Sequence, residues 1–174
     1  GHNIIKPLPS LFSFTCKTPG LTACAGSSLK NVNLKIILNN QTFENKGDLL
    51  ITHWGFSGPG ILKLSSIAAR ELSFAKYNFK LVIGWSNFNS QELRKIIDNL
   101  REKSGKLNLY NSRPVPFVTR RLWIFLLNRI GINVDKKWAE IYSFERDAII
   151  NILHKDEYQI IAKGPFGEEF VTAG

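Results

Sequence analysis

Asp48-Leu49-Leu50-Ile51-Thr52-His53-Trp54-Gly55-Phe56-Ser57-Gly58-Pro59-Gly60 is the stretch that decides how this chain folds. Asp48 to Thr52 reads as a short apolar strand. Ile61 to Ala69 follows with Leu64, Ile67 and Ala68 at helical spacing. The pattern predicts a strand that gives way to a helix through a glycine-rich turn. Ser57 is expected to cap that helix, and Pro59 to occupy its first turn, where a missing N–H costs nothing. A helix start of this kind offers N–H groups to a phosphate, a carboxylate or a developing oxyanion, beside His53 and Ser57.

Upstream of this stretch the signals are for strands. Leu11 to Cys16 is a short run with β-favouring phenylalanines. Val32, Leu34, Ile36 and Leu38 alternate along a half-buried strand, Asn39-Asn40 is a turn, and Gln41 to Glu44 returns as the partner. Downstream, Phe79, Leu81, Ile83 and Trp85 alternate again. Asn89-Ser90-Gln91-Glu92 then opens a helix in capping-box style, with Leu93, Ile96, Ile97 and Leu100 on one face. Pro114-Val115-Pro116 is expected to open a second helix, with Leu122, Phe125, Leu126 and Ile130 inward and Gly131 at its end. Asp135 to Ile141 reads as a short helix, and Ser143 as the cap of another carrying Ala148, Ile149, Ile152 and Leu153. The tail returns to strands at Tyr158 to Ala162 and Glu169 to Thr172, around a Gly164-Pro165-Phe166-Gly167 turn. Strands segregated from helices argue for an α+β fold with an antiparallel sheet or small barrel. The late strands must rejoin the early ones, which brings both ends of the chain to one body, as in an inserted domain.

The 174 residues suffice for one domain with a real core, and the hydrophobic fraction of 44% is ordinary for a globular protein. No uninterrupted apolar run is long enough to cross a bilayer, and no basic-then-apolar leader is visible, so a cytoplasmic protein without membrane contact is expected. The chain has no methionine, which points to a piece of a longer protein. Its net charge is +9. Residues 1–43 hold Lys6, Lys17, Lys30 and Lys35 and no acid. Residues 103–134 hold Lys103, Lys106, Arg113, Arg120, Arg121 and Arg129, again with no acid. Such stretches suit a polyanion, a neighbouring acidic domain or plain solvent. Because Leu122, Phe125 and Leu126 share a helix face, the aromatics near Arg120-Arg121 are expected to pack inward, and nucleic acid is not the favoured partner. Cys16 and Cys24 form neither a CxxC pair nor a disulfide framework and are expected to be buried thiols.

Other chemistries are weakly represented. Gly55-Phe56-Ser57-Gly58-Pro59 departs from the G-x-S-x-G nucleophile elbow by a proline at the last glycine, and the strand–helix alternation of a hydrolase is missing. The three histidines lack metal-ligand spacing, so no metal site is expected. His154 suits a helix C-terminus. No G-x-G-x-x-G is present, so the chain by itself is not expected to hold FAD or NAD tightly.

Three segments in order carry a resemblance: Gly1-His2-Asn3-Ile4-Ile5-Lys6-Pro7-Leu8-Pro9-Ser10-Leu11, Thr52 to Pro59, and Lys163-Gly164-Pro165-Phe166-Gly167-Glu168-Glu169-Phe170-Val171-Thr172-Ala173-Gly174. Arg121-Leu122-Trp123 and Gly131-Ile132 support them. The chain resembles the aminoacetone-oxidase-like, NAD(P)/FAD-dependent oxidoreductases, a bacterial flavoprotein family. The resemblance implies a small antiparallel β-barrel carrying a helical subdomain, inserted into a FAD-binding domain. The barrel would comprise 1–88 with 157–174, and the helical part 89–156. FAD would belong to the full-length parent, and the partner of this chain would be the parent's FAD-binding domain, with a small-molecule substrate between them. His53 is implied as a catalytic, proton-transferring group. Thr52, Ser57, Gly58, Thr172 and Gly174 are implied to lie toward the cofactor. The isolated chain is expected to be inactive. The competing expectations are a basic binding module for nucleic acid or an acidic protein, and a purely structural cap.

Overall fold

A computed structural model describes residues 8–165 and the backbone of 171–173. The chain divides into two compact units, 1–83 with 157–174 and 84–156. In the first unit, β1 (Leu8–Ser10) pairs with β8 (Val171–Ala173) as a two-stranded antiparallel sheet. The barrel is built from β2 (Phe14–Cys16), β3 (Ser28–Leu38), β4 (Gln41–Ile51), β5 (Gly55–Ser57), β6 (Phe79–Gly84) and β7 (Asp156–Lys163). They close in the order β2-β5-β4-β3-β6-β7, and β7 pairs antiparallel with β2 to complete the ring. The fold is therefore α+β with a closed antiparallel barrel. Closure leaves none of the six strands as a free edge.

The alternating residues Val32, Leu34, Ile36 and Leu38 are all buried. Asn39 and Asn40 take positive φ values of 44° and 66°, so the β3–β4 connection is a two-residue hairpin. Phe14 and Phe79 meet edge to face at 5.0 Å, and Phe56 and Tyr158 at 4.8 Å, which places four aromatic rings in the barrel core.

Several boundaries differ from the sequence expectation. Gln41 to Glu44 and Asp48 to Thr52 are not two strands. They are one eleven-residue strand, β4, that runs through Gly47 because the pairing with β3 is kept on both sides of it. The deciding stretch does not pass directly from strand to helix either. Thr52 to Gly55 is a tight turn between β4 and β5, and the helix α1 (Pro59–Ile67) starts only after β5.

Ser57 does not cap α1. The N-cap is Gly58, with φ 98° and ψ 165°, a conformation that leaves a side chain little room. Pro59 does stand in the first turn. A second helix, α2 (Ala69–Phe74), follows after a break at Ala68. Gly60 lies against β4: a Cβ there would sit 2.9 Å from the Gly47 carbonyl carbon and 2.9 Å from Leu34 Cδ1. The Gly47–Gly60 pair thus sets how close α1 comes to the barrel wall. Asn45 Nδ2 donates to the Gly60 carbonyl at 3.0 Å, and Ser65 Oγ accepts from Phe12 N–H at 2.9 Å, pinning the helix along its length.

The second unit holds α3 (Ser90–Lys103), α4 (Arg120–Arg129) and α5 (Ser143–His154). The capping box at α3 forms as read: Asn89 Oδ1 accepts from Glu92 N–H at 2.9 Å and Glu92 Oε2 from Asn89 N–H at 2.7 Å. The prolines at 114 and 116 do not open a helix, because residues that precede a proline are driven out of the α region. Thr119 begins α4 instead, its hydroxyl accepting from Leu122 N–H at 3.3 Å. Between Asp135 and Ile141 only Trp138–Glu140 is helical, as a single 3-10 turn. Ser143 is the first residue of α5, not its cap. The orphan N–H of Tyr142 is met by Glu145 Oε2 at 2.9 Å. Trp123 and Trp138 stack 6.4 Å apart inside the unit, and Trp123 Nε1 donates to the Leu109 carbonyl at 2.7 Å. The unit's own ends meet: Trp85 Nε1 donates to Asp156 Oδ2 at 2.9 Å, and Ser86 N–H to the Leu153 carbonyl at 3.1 Å.

Candidate functional site

The Thr52–Gly55 turn is locked from within. Thr52 N–H donates to the Gly55 carbonyl at 2.9 Å, and Gly55 N–H donates to Thr52 Oγ1 at 3.0 Å. The Thr52 hydroxyl is buried and holds the turn. His53 stands exposed at the tip, and Trp54 is half-buried behind it. The Trp54 carbonyl accepts from Cys16 N–H at 2.9 Å, which ties the turn to β2.

The start of the C-terminal turn lies at the other end of β2. Gly164 N–H donates to the Ser13 carbonyl at 2.8 Å, and Thr15 Oγ1 to the Lys163 carbonyl at 2.7 Å. A Cβ on Gly164 would overlap the Ser13 hydroxyl and lie 3.4 Å from Trp54 Nε1. Only glycine lets the chain pass between Ser13 and the indole. The Trp54 indole, from one segment that carried the resemblance, thus reaches Gly164, from another, while the two backbones lie at opposite ends of β2, Trp54 bonded at Cys16 and Gly164 at Ser13. The Lys163 ammonium also lies 5.1 Å from the centre of the Tyr77 ring.

The residues singled out from sequence do not all gather there. Thr52 and His53 belong to the turn at the Cys16 end of β2. Ser57 and Gly58 stand at the far end of β5: Ser57 pairs with Leu50, and Gly58 packs its α-carbon against the β4 backbone at Asp48 and Leu50. Thr172 lies opposite Pro9 in the β1–β8 sheet, outside the barrel ring. Gly174, with Gly1 to Pro7 and Phe166 to Phe170, lies outside the described residues. The sequence reading missed that Ser13, the Trp54 indole and Gly164 meet. Trp54 and Gly164 sat inside quoted motifs, but nothing in their spacing says that residues more than a hundred apart are neighbours.

The start of α1 is a poor anion cradle. Pro59 has no N–H, and Gly60 and Ile61 are buried against β4 and β3. The described residues consequently do not fit the diphosphate of a flavin at this helix, in contrast to the glycine-rich turn of a dinucleotide site. Among the described residues no cluster of three or more His, Cys, Asp or Glu could hold a metal ion, and no helix is long and apolar enough to cross a membrane. Cys16 and Cys24 are buried and not joined in a disulfide. In the helical unit, Asp98, Arg101, Glu102, Ala139 and Arg146 line an open cleft of about 480 Å³. Asp98 pairs with both arginines: Arg146 Nη1 donates to Asp98 Oδ1 at 2.8 Å, the largest influence raising the Arg146 pKa, and Arg101 Nη1 lies 3.9 Å from the same oxygen. Paired in this way, the groups serve the packing of α3 against α5.

A closed antiparallel barrel whose chain is interrupted between β6 and β7 by a helical unit defines the class of domain. The chain belongs to the HI0933-like family: residues 8–171 match the family model described as the HI0933-like protein barrel and H2TH domain. No curated protein matches the chain.

Proposed function

We propose that this chain is the substrate-side domain of a FAD-dependent oxidoreductase of the aminoacetone-oxidase-like kind, with the Thr52–Gly55 turn, whose Trp54 indole lies against Gly164, forming one wall of the substrate cleft. The observation that carries the proposal is the reach of the Trp54 indole, in one family-like segment, to Gly164, in another. Family membership over residues 8–171 supports it. Flavin, when bound, would supply the redox chemistry from the parent's FAD-binding domain. The start of α1 offers it no diphosphate cradle, and this chain's own contribution is a polar side chain at an exposed tip. His53, exposed at the tip of the turn, is assigned that role as a candidate proton-transfer group.

The test is kinetic and uses the full-length parent. His53→Ala and Trp54→Ala should each slow flavin reduction by substrate or its reoxidation, followed by stopped-flow absorbance, while the flavin content stays at wild-type level. Unchanged rates in both variants would remove the Thr52–Gly55 turn from the site. Purification of the 174-residue chain with stoichiometric yellow flavin would overturn the division of labour.

At Thr52, Ser57 and Gly58 a scaffold role is favoured by specific contacts. The Thr52 hydroxyl closes its own turn, and Gly58 is pressed on β4. Thr52→Ala is accordingly assigned an effect on stability and none on flavin kinetics.

A further inference from the structure

The connection between α3 and α4 spans residues 104–119 and is longer than a compact helical unit needs. It is nevertheless ordered from inside. Leu109, Val115 and Val118 are fully buried, and its backbone pairs with the 134–138 segment through Leu109 N–H to the Lys136 carbonyl at 2.9 Å and Tyr110 N–H to the Val134 carbonyl at 2.9 Å. What it presents outward is unusual. Leu107, Tyr110 and Phe117 are 48%, 37% and 43% exposed. The Arg120 guanidinium sits 5.0 Å over the Tyr110 ring. Trp123, the aromatic next to Arg120-Arg121 in sequence, is buried, so the outward aromatics are Tyr110 and Phe117 instead.

The charges of the same segment are unspent. Arg94, Arg101, Arg129 and Arg146 of this unit all have carboxylate partners. Lys103, Lys106, Arg113, Arg120 and Arg121 have no ion pair among the described residues. Arg120 and Arg121 occupy the first turn of α4, which holds no acid. Cations at a helix N-terminus oppose the helix dipole, so the placement costs stability unless an anion sits there. The acids nearest in the chain are Glu102 before the segment and Asp135 beside the strand that pairs with Tyr110.

From these features we infer that the 103–121 surface binds single-stranded nucleic acid, independently of any flavin chemistry. Cations track the phosphates, and Tyr110 and Phe117 offer faces on which bases stack, a combination tolerant of sequence. An acidic peptide would satisfy the charges and leave the aromatic faces idle.

The 174-residue chain is titrated with fluorescein-labelled dT20 and rU20, a 20-base-pair duplex and a poly-glutamate peptide, by anisotropy at 50 to 200 mM NaCl. Single strands should bind at 50 mM salt, with a log–log salt slope of about −2 to −4, corresponding to three to five phosphates. Arg120→Ala and Arg121→Ala should each weaken binding and flatten that slope by about 1. Tyr110→Ala should weaken it roughly tenfold with the slope unchanged, as expected for a lost stacking face, and Tyr110→Phe should restore it. Lys35→Ala, on the barrel, should change nothing. Absence of single-strand binding at 50 mM salt overturns the inference, as does tighter binding of the duplex or the poly-glutamate. Full affinity in Tyr110→Ala overturns it as well. The exposed positions of Arg120 and Arg121 let both variants fold, which far-ultraviolet circular dichroism checks.

Discussion

Gly60 shows how a single missing side chain positions an element. Its α-carbon faces Gly47 on β4, and a methyl group would lie 3.0 Å or less from the Gly47 carbonyl carbon, Leu34 Cδ1 and the Asp48 carbonyl oxygen. Two of those three atoms are backbone and cannot rotate away. Gly60→Ala should therefore destabilise the chain by about 1–3 kcal/mol through overpacking, read as a lower midpoint in urea unfolding. A loss within error of zero would mean that α1 can lift off β4 freely. The same glycines had suggested an anion cradle from sequence, where glycine reads equally as room for a ligand and as room for a neighbouring strand. The neighbour here is β4. His53 was legible as an exposed turn residue. That Ser57 would be separated from it by a strand was not, because the three residues Gly55-Phe56-Ser57 are too short a run to announce a strand by alternation.

At the scale of an element, α5 illustrates a start held by charge. Lys136 Nζ lies 2.7 and 2.6 Å from the two Glu145 oxygens, and Tyr142 N–H donates to Oε2 at 2.9 Å. Burial pushes the Glu145 carboxyl up. The hydrogen bonds from Lys136 and Tyr142, with the Lys136 charge, outweigh it and hold the carboxyl below its ordinary 4.5. A carboxyl lowered in the folded state binds fewer protons than in the unfolded chain. Its contribution is therefore complete above the unfolded value and disappears as pH falls through the folded one. Glu145→Gln should be less stable than wild type at pH 7, and the gap should narrow as pH falls below 4.5. Denaturant titrations of both proteins at pH 7, 4.5 and 3 measure it; a gap that stays constant would rule out the Glu145 charge as its source. The start of α3 was legible because Asn89 and Glu92 form a local pattern. The start of α4 at Thr119 was hidden behind two prolines that invite a helix by position but restrain the residues before them.

At the scale of the whole molecule, the chain makes two hydrophobic cores. Leu93, Ile97, Val118, Leu122, Trp123, Leu126, Trp138, Ile149 and Leu153 are fully buried within 84–156, and the ends of this segment are joined by Trp85, Asp156, Ser86 and Leu153. Asp156, 2% exposed, also accepts from Arg129 at 3.0 Å, so the closure is a charge-assisted one. Residues 84–156, expressed alone, should accordingly give a helical circular dichroism spectrum, a cooperative thermal transition and the blue-shifted emission of buried tryptophans. A coil spectrum would show that this unit needs the barrel in order to fold. The barrel has the opposite property: β2 pairs with β5 on one side and with β7 on the other, so the ring cannot close without the last part of the chain.

Sequence alone determined the α+β class, the alternating core of β3, the β3–β4 hairpin, the α3 cap and the return of strands at the end. Each depends on residues close together in the chain, whose periodicity and hydrogen-bonding habits are visible without any tertiary contact. Tertiary structure alone decided that the strands close into a ring, that β4 runs unbroken through Gly47, and that the glycines beside Pro59 face a strand. It also decided that Ser13, the Trp54 indole and Gly164 meet, and that Tyr110 rather than Trp123 faces outward beside Arg120. These features arise from contacts between segments distant in the chain. A local pattern states which residues need burial or a partner, while packing decides which partner they obtain.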